Sequence, residues 1–109
     1  MNELTTVEIV EKLSTQMVDD PEELSKYLIR LTASLYQYGK QSLDREILYA
    51  HKWAELRETT ESDGRATVLI KTAPEYKNWK EAVIVEKTVQ QLIMSIKRRL
   101  KSLDNEYNA

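Results

Sequence analysis

The fold is decided by one long stretch, residues 20–64, which reads DPEELSKYLIRLTASLYQYGKQSLDREILYAHKWAELRETTESDG. Asp20 at its start can cap a helix, and Pro21 fits the first helical position, where its missing N–H costs nothing. No strong helix breaker follows until Gly64 closes the stretch. The stretch therefore predicts a single helix over residues 21–60, which at 1.5 Å per residue is about 60 Å long.

The apolar side chains of this helix fall on two separate stripes when the residues are projected at 100° each. The first stripe includes Leu24, Leu31 and Trp53 and can pack on the last helix of the same chain. The second is displaced from it by about 120° and needs another surface, from the first helix or from another subunit. We predict an oligomer interface from its members, which are Ile29, Tyr36, Leu43, Ile47, Ala50 and Ala54.

Gly39 is the one weak point of the long helix, because glycine costs about 1 kcal/mol in helix propensity. A compact domain of 109 residues is about 35 Å across, so an unbroken helix of about 60 Å does not fit inside it. Either the helix breaks near Gly39 and the chain is a compact monomer, or it stays long and self-association covers both stripes. We favour the second alternative.

The remaining sequence predicts two more helices. Capping-box patterns predict a first helix over about 5–18 and a last helix over about 73–105. Residues 61–72 are predicted as a connector with room for a short helical turn over residues 66–71. The expected fold is therefore all-α: residues 1–109 form a single helical domain, an elongated antiparallel hairpin of two long helices with a short N-terminal helix, which assembles as a helical-bundle oligomer.

Composition supports few, long elements and excludes several kinds of site. The chain has two glycines and two prolines, far below the usual ~7% and ~5%, and 31% charged residues suit long solvated helix faces. With no cysteine and one histidine, it has no disulfide or thiolate ligand, and histidine-rich metal sites and Ser-His-Asp catalysis are disfavoured. No 18-residue apolar run and no secretory leader are found, which predicts a cytoplasmic protein without a membrane span.

The polar residues do not predict an enzyme. His51 lies near Glu55 on the long helix, but no serine or carboxylate spacing indicates an activated partner. Glutamates one turn apart, such as Glu55 and Glu58, fall beside lysine and arginine on a polar face rather than converging from two helices. No glycine-rich phosphate loop is present. We therefore expect no catalytic residues, no metal and no cofactor.

Charge is unevenly distributed along the chain, although the net charge is −2. Residues 1–20 carry five acids and one lysine, and residues 62–109 carry nine bases and six acids. Basic groups that follow a backbone, together with stacking rings such as Tyr76 and Trp79, are typical of single-strand binding, whereas the alternative is that these cations only solubilise a helix. The predicted nucleic-acid-binding residues are Lys80, Lys87, Lys97, Arg98 and Lys101, with Arg57 and Arg65 near the connector.

The layout over roughly residues 40–105 resembles tailed-phage recombination mediators. The shared features are a long central helix, a polar connector with a glycine, and a last helix that ends in Ile96-Lys97-Arg98-Arg99-Leu100. The resemblance implies an oligomer that binds single-stranded DNA and helps to load a recombinase. The family's basic patch near the end of the central helix has only Arg57 and Arg65 as counterparts here, so no functional residue is carried over.

Two functional hypotheses follow. The first is a non-enzymatic phage or bacterial accessory protein that binds single-stranded DNA, a recombination or replication protein, or both. The second is an oligomeric helical adaptor or inhibitor that acts only through protein–protein contacts, with the second stripe of the long helix as its binding surface. Both predict a homo-oligomer.

Overall fold

The computed structural model describes residues 4–108, with side chains up to residue 106. Within that range the chain forms four α-helices and no strand, which confirms the all-α prediction. The two long helices pack against each other, together with a short N-terminal helix. The helices are α1 (Thr6–Thr15), α2 (Pro21–Thr59), α3 (Asp63–Thr72) and α4 (Pro74–Asn108).

The chain divides into two compact units. Unit 1 combines residues up to 36 with those from 87 onward, so it contains α1, the first part of α2 and most of α4. Unit 2, residues 37–86, contains the rest of α2, all of α3 and the start of α4.

Helix α1 begins as the sequence predicts and ends earlier. The capping box is present: the Glu8 N–H donates to Thr5 Oγ1 at 3.2 Å, and the Thr5 N–H donates to the Glu8 carboxylate at 3.2 Å. The helix ends at Thr15, not near residue 18, because Gln16 is extended and its N–H closes the last turn. Met17 beyond it is 86% exposed, so no burial offsets the entropy of a further turn.

Helix α2 continues without interruption from Pro21 to Thr59, within one residue of the predicted bounds. The carboxylate of Asp20 accepts the Glu22 N–H at 3.2 Å, as expected for a helix start. The break considered at Gly39 does not occur. In unit 2 a Cβ at this glycine would lie 2.9 Å from Oε2 of Glu86 on α4. The glycine therefore lets the Glu86 side chain lie against α2.

Most of the predicted connector over residues 61–72 is helix α3, which is longer than the short helical turn expected there. Ser62 caps this helix by accepting the Arg65 N–H at 3.2 Å. Ala66 and Ile70, one turn apart, are buried and fix the inner face. The sequence alone does not indicate this four-residue spacing, because residues 68–70 are all apolar and follow one another directly. Only Ala73, which is extended, separates α3 from α4.

The two units have cores of different size. In unit 2 the buried apolar residues are Ala66, Ile70 and Ala73, accompanied by Ser42 and by a half-buried aromatic cluster. Unit 1 has a larger core built from all three of its helices, and the buried positions that α4 contributes follow one another in steps of three, four and seven residues. Its buried apolar residues are Ile9, Leu24, Tyr27, Leu31, Val89, Ile93, Ile96 and Leu103.

Candidate nucleic-acid interface

The part of α4 that belongs to unit 1 carries an acid-free basic segment. Residues 87–103 include five lysines and arginines and no aspartate or glutamate. Four of these cations are exposed, and at 100° per residue they fall within about 100° of the helix circumference. We name them the α4 basic face: Lys87, Lys97, Arg98 and Lys101.

Packing on the opposite side of α4 fixes the direction of this face. Val89, Ile93 and Ile96 are each at most 7% exposed, so the rotation of the helix about its axis is set by the core of unit 1. The cations consequently point to solvent. Among the residues that the structure describes, none of the four takes part in an ion pair.

The fifth cation of the segment has a structural role. Arg99 is half-buried, and its guanidinium donates from Nε at 2.9 Å and from Nη2 at 2.5 Å to one carboxylate oxygen of Asp19. This pair ties the segment between α1 and α2 to α4. Arg99 therefore differs from its neighbour Arg98, although the sequence places the two side by side.

Three predicted binding residues lie in unit 2, and two of them are engaged there. The Lys80 ammonium lies over the Trp79 ring at 4.5 Å. Arg57 lies over the Trp53 ring at 5.9 Å, and its Nε is 3.4 Å from the Asp63 carboxylate.

Arg65 is the third of these residues. It is exposed on α3, and its side chain has no ion pair within residues 4–106. The structure thus gathers four of the seven predicted residues on one helix face.

The aromatic rings expected to stack on bases instead stack on one another within unit 2. Trp79 and Tyr49 are stacked, with ring centroids 4.6 Å apart and an interplanar angle of 27°. Tyr76 joins them at 5.9 Å from Tyr49 and 6.4 Å from Trp79. The periodicity places Tyr49 on the inner stripe of α2, but no sequence signal indicates which rings it meets.

The stripe predicted as an oligomer interface is exposed on α2. Ile29 and Tyr36 are 70% and 77% exposed, and Leu43 and Ile47 are 56% and 46% exposed. The two alanines of the stripe, at positions 50 and 54, are exposed as well. The chain's own helices therefore leave this surface open, and the oligomer itself stays a prediction.

A charged network that no local sequence pattern predicts holds α1 against α2. The Lys12 ammonium donates to the Glu23 carboxylate and, at 2.9 Å, to the Tyr27 hydroxyl, which also donates to Glu23. The hydrogen bond to Glu23 raises the pKa of Lys12, and the same bond lowers the pKa of Glu23. Burial raises the pKa of Tyr27. These residues are 11 and 15 positions apart, so no local spacing identifies them.

The described residues contain neither a metal-binding cluster nor a membrane-spanning helix. No group of three or more histidine, aspartate or glutamate side chains within that part of the chain is arranged to hold a metal ion. None of its helices is both long and apolar enough to cross a membrane. Comparison of the chain with protein-family models, with curated proteins and with solved structures found no match.

Proposed function

We propose that this protein is a non-enzymatic accessory protein that binds single-stranded DNA through the α4 basic face. One observation carries the proposal: four exposed cations, none of them ion-paired within the described part of the chain, lie on one helix face in a segment without an acidic residue. From Lys87 to Lys101 the face extends about 21 Å at 1.5 Å per residue. Cations in such a row neutralise successive phosphates and release the counterions bound to them.

The groups between these cations favour a single strand over a duplex. Met94 is 53% exposed in the middle of the face, and Gln90 and Gln91 flank it. Amides can pair with the Watson–Crick edges of unpaired bases, and the thioether can contact the faces of these bases, whereas a duplex buries both the Watson–Crick edges and the faces. In the role that the resemblance to recombination mediators implies, the strand is held for a recombination or replication protein.

Fluorescence anisotropy of a labelled oligonucleotide at low salt tests the proposal. The double variant Arg98→Ala, Lys101→Ala removes half of the α4 basic face, so we expect roughly tenfold weaker binding. A matched control, Arg45→Ala with Lys71→Ala, removes the same charges from exposed positions elsewhere. The control should bind like the unmodified protein, and a duplex of the same length should bind more weakly than the single strand.

Two results would overturn this function. One is the absence of any anisotropy change at micromolar protein concentration and low salt. The other is an equal loss in the control variant, because binding would then follow overall charge and not this face.

The second candidate function is a helical adaptor or inhibitor that works only through protein–protein contacts. The exposed apolar stripe on α2 favours it, since a continuous exposed apolar surface often marks a site of protein–protein contact. If the protein does not bind DNA, this second function is still possible, because the two candidates use different helices.

A further inference from the structure

We propose that two copies of this chain pair antiparallel along the exposed face of α2, as a two-stranded coiled coil. This pairing does not require nucleic acid, and its tests are independent of those for DNA binding. It rests on three features of α2: a seven-residue repeat, the order of large and small side chains along it, and the placement of charges on and beside it.

The exposed residues of α2 repeat with the period of a coiled coil. One set recurs every seven residues, and a second set follows each of its members by four residues, which together give the two core positions of a heptad. The pattern lasts for nearly four heptads of uninterrupted helix, and every member is exposed. The first set is Ile29, Tyr36, Leu43 and Ala50, and the second is Ala33, Lys40, Ile47 and Ala54.

The order of side-chain sizes favours antiparallel pairing. With a two-fold axis between residues 41 and 42, Ile29 meets Ala54 of the second copy and Tyr36 meets Ile47 of the second copy. The larger side chains then meet around the axis, with Tyr36 on Ile47 and Lys40 on Leu43, and the smaller layers, such as Ala33 on Ala50, lie toward the ends of the seam. Parallel pairing would instead place Tyr36 on Tyr36 and leave the alanines at 50 and 54 facing alanines.

One charge on the repeat, Lys40, and two beside it, Asp44 and Glu46, favour the same direction. In the antiparallel register Lys40 lies within three residues of the level of Asp44 and Glu46 of the second copy, at opposite charge. Parallel pairing would bring Lys40 against Lys40 and each acid against itself, which is unfavourable. All three residues are exposed, and none has an ion pair within the described part of the chain.

The first test measures the mass of the whole chain in solution by light scattering across a concentration series. We expect a dimer, and Leu43→Glu should raise its dissociation constant roughly tenfold or more, because it places a carboxylate in the buried seam of both copies. Leu48→Glu is the matched control, since Leu48 is 51% exposed on the same helix but outside the repeat. Circular dichroism should show unchanged helix content in both variants.

The second test reports direction and uses the absence of cysteine from the chain. Ala33→Cys and Ala50→Cys proteins, mixed under oxidising conditions, should form a disulfide-linked dimer that neither protein forms alone. Parallel pairing would crosslink each variant with itself and would overturn the proposal. A monomeric mass at all concentrations, or equal effects of Leu43→Glu and Leu48→Glu, would also overturn it, and the stripe would then belong to a different protein.

Discussion

At the scale of single residues, Gly39 combines a helix cost with a close contact. Glycine in a helix interior costs about 1 kcal/mol relative to alanine, yet α2 is continuous there because Glu86 lies where a Cβ would stand. We predict that Gly39→Ala raises the free energy of unfolding of the Glu86→Ala variant by about 1 kcal/mol, and that it raises the free energy of unfolding of the unmodified chain by less.

Chemical denaturation of the four proteins of this cycle measures the difference. Gly64→Ala is a useful reference, because no atom lies within 4 Å of a Cβ at that position. An identical gain from Gly39→Ala in both backgrounds would show that the Glu86 carboxylate does not rest on the glycine.

Glu23 gives the residue-scale prediction for pH. Its folded-state pKa is lowered, first by the hydrogen bond from Lys12, so the network stabilises the fold above the unfolded pKa of about 4.3. That contribution is lost as the pH falls through the folded-state pKa. We therefore expect Glu23→Gln to lower the free energy of unfolding at pH 7, and the difference from the unmodified chain to shrink below about pH 4.

Urea denaturation between pH 2 and pH 7 would follow this difference. The control is Glu22→Gln, a neighbouring exposed glutamate that has no ion pair within the described residues. A difference for Glu23→Gln that does not vary with pH would contradict the assignment of the stabilisation to its charge.

At the scale of elements, the sequence predicts the long helices well and α3 poorly. Periodicity over many turns and proline at the first position place α2 and α4 within about three residues of their bounds. The ten residues of α3 offer only two buried positions, Ala66 and Ile70, and their signal is weaker than the turn signal of Ser62-Asp63-Gly64. A serine before Asp-Gly can either begin a turn or cap a helix. Here the burial of Ala66 and Ile70 favours the helix.

The stacked rings of Tyr49 and Trp79 join α2 to α4 within unit 2, which has few other buried side chains. Aromatic pairs of this geometry contribute about 0.5–1.5 kcal/mol beyond the burial of their area. We predict a coupling free energy in that range from the cycle of Tyr49→Leu, Trp79→Leu and the double variant, measured by denaturant unfolding. Simple additivity of the two substitutions would contradict a direct ring contact.

At the scale of the whole molecule, sequence alone locates the basic residues but not their partners. Arg98 and Arg99 are adjacent and chemically identical, yet only Arg99 is held by Asp19, which lies 80 residues away in sequence. Lys80 has the helical phase of Lys87 and Arg98, yet it lies over Trp79 in unit 2. Such pairings depend on contacts between distant segments, and no local pattern encodes them.

The salt dependence of single-strand binding tests the central claim most directly. If the four cations of the α4 basic face each neutralise one phosphate, the logarithm of the binding constant should fall with the logarithm of salt concentration with a slope of about −2.8. For Arg98→Ala with Lys101→Ala, two contacts remain and the slope should be about −1.4. An unchanged slope in this variant, or binding that does not respond to salt, would contradict the account.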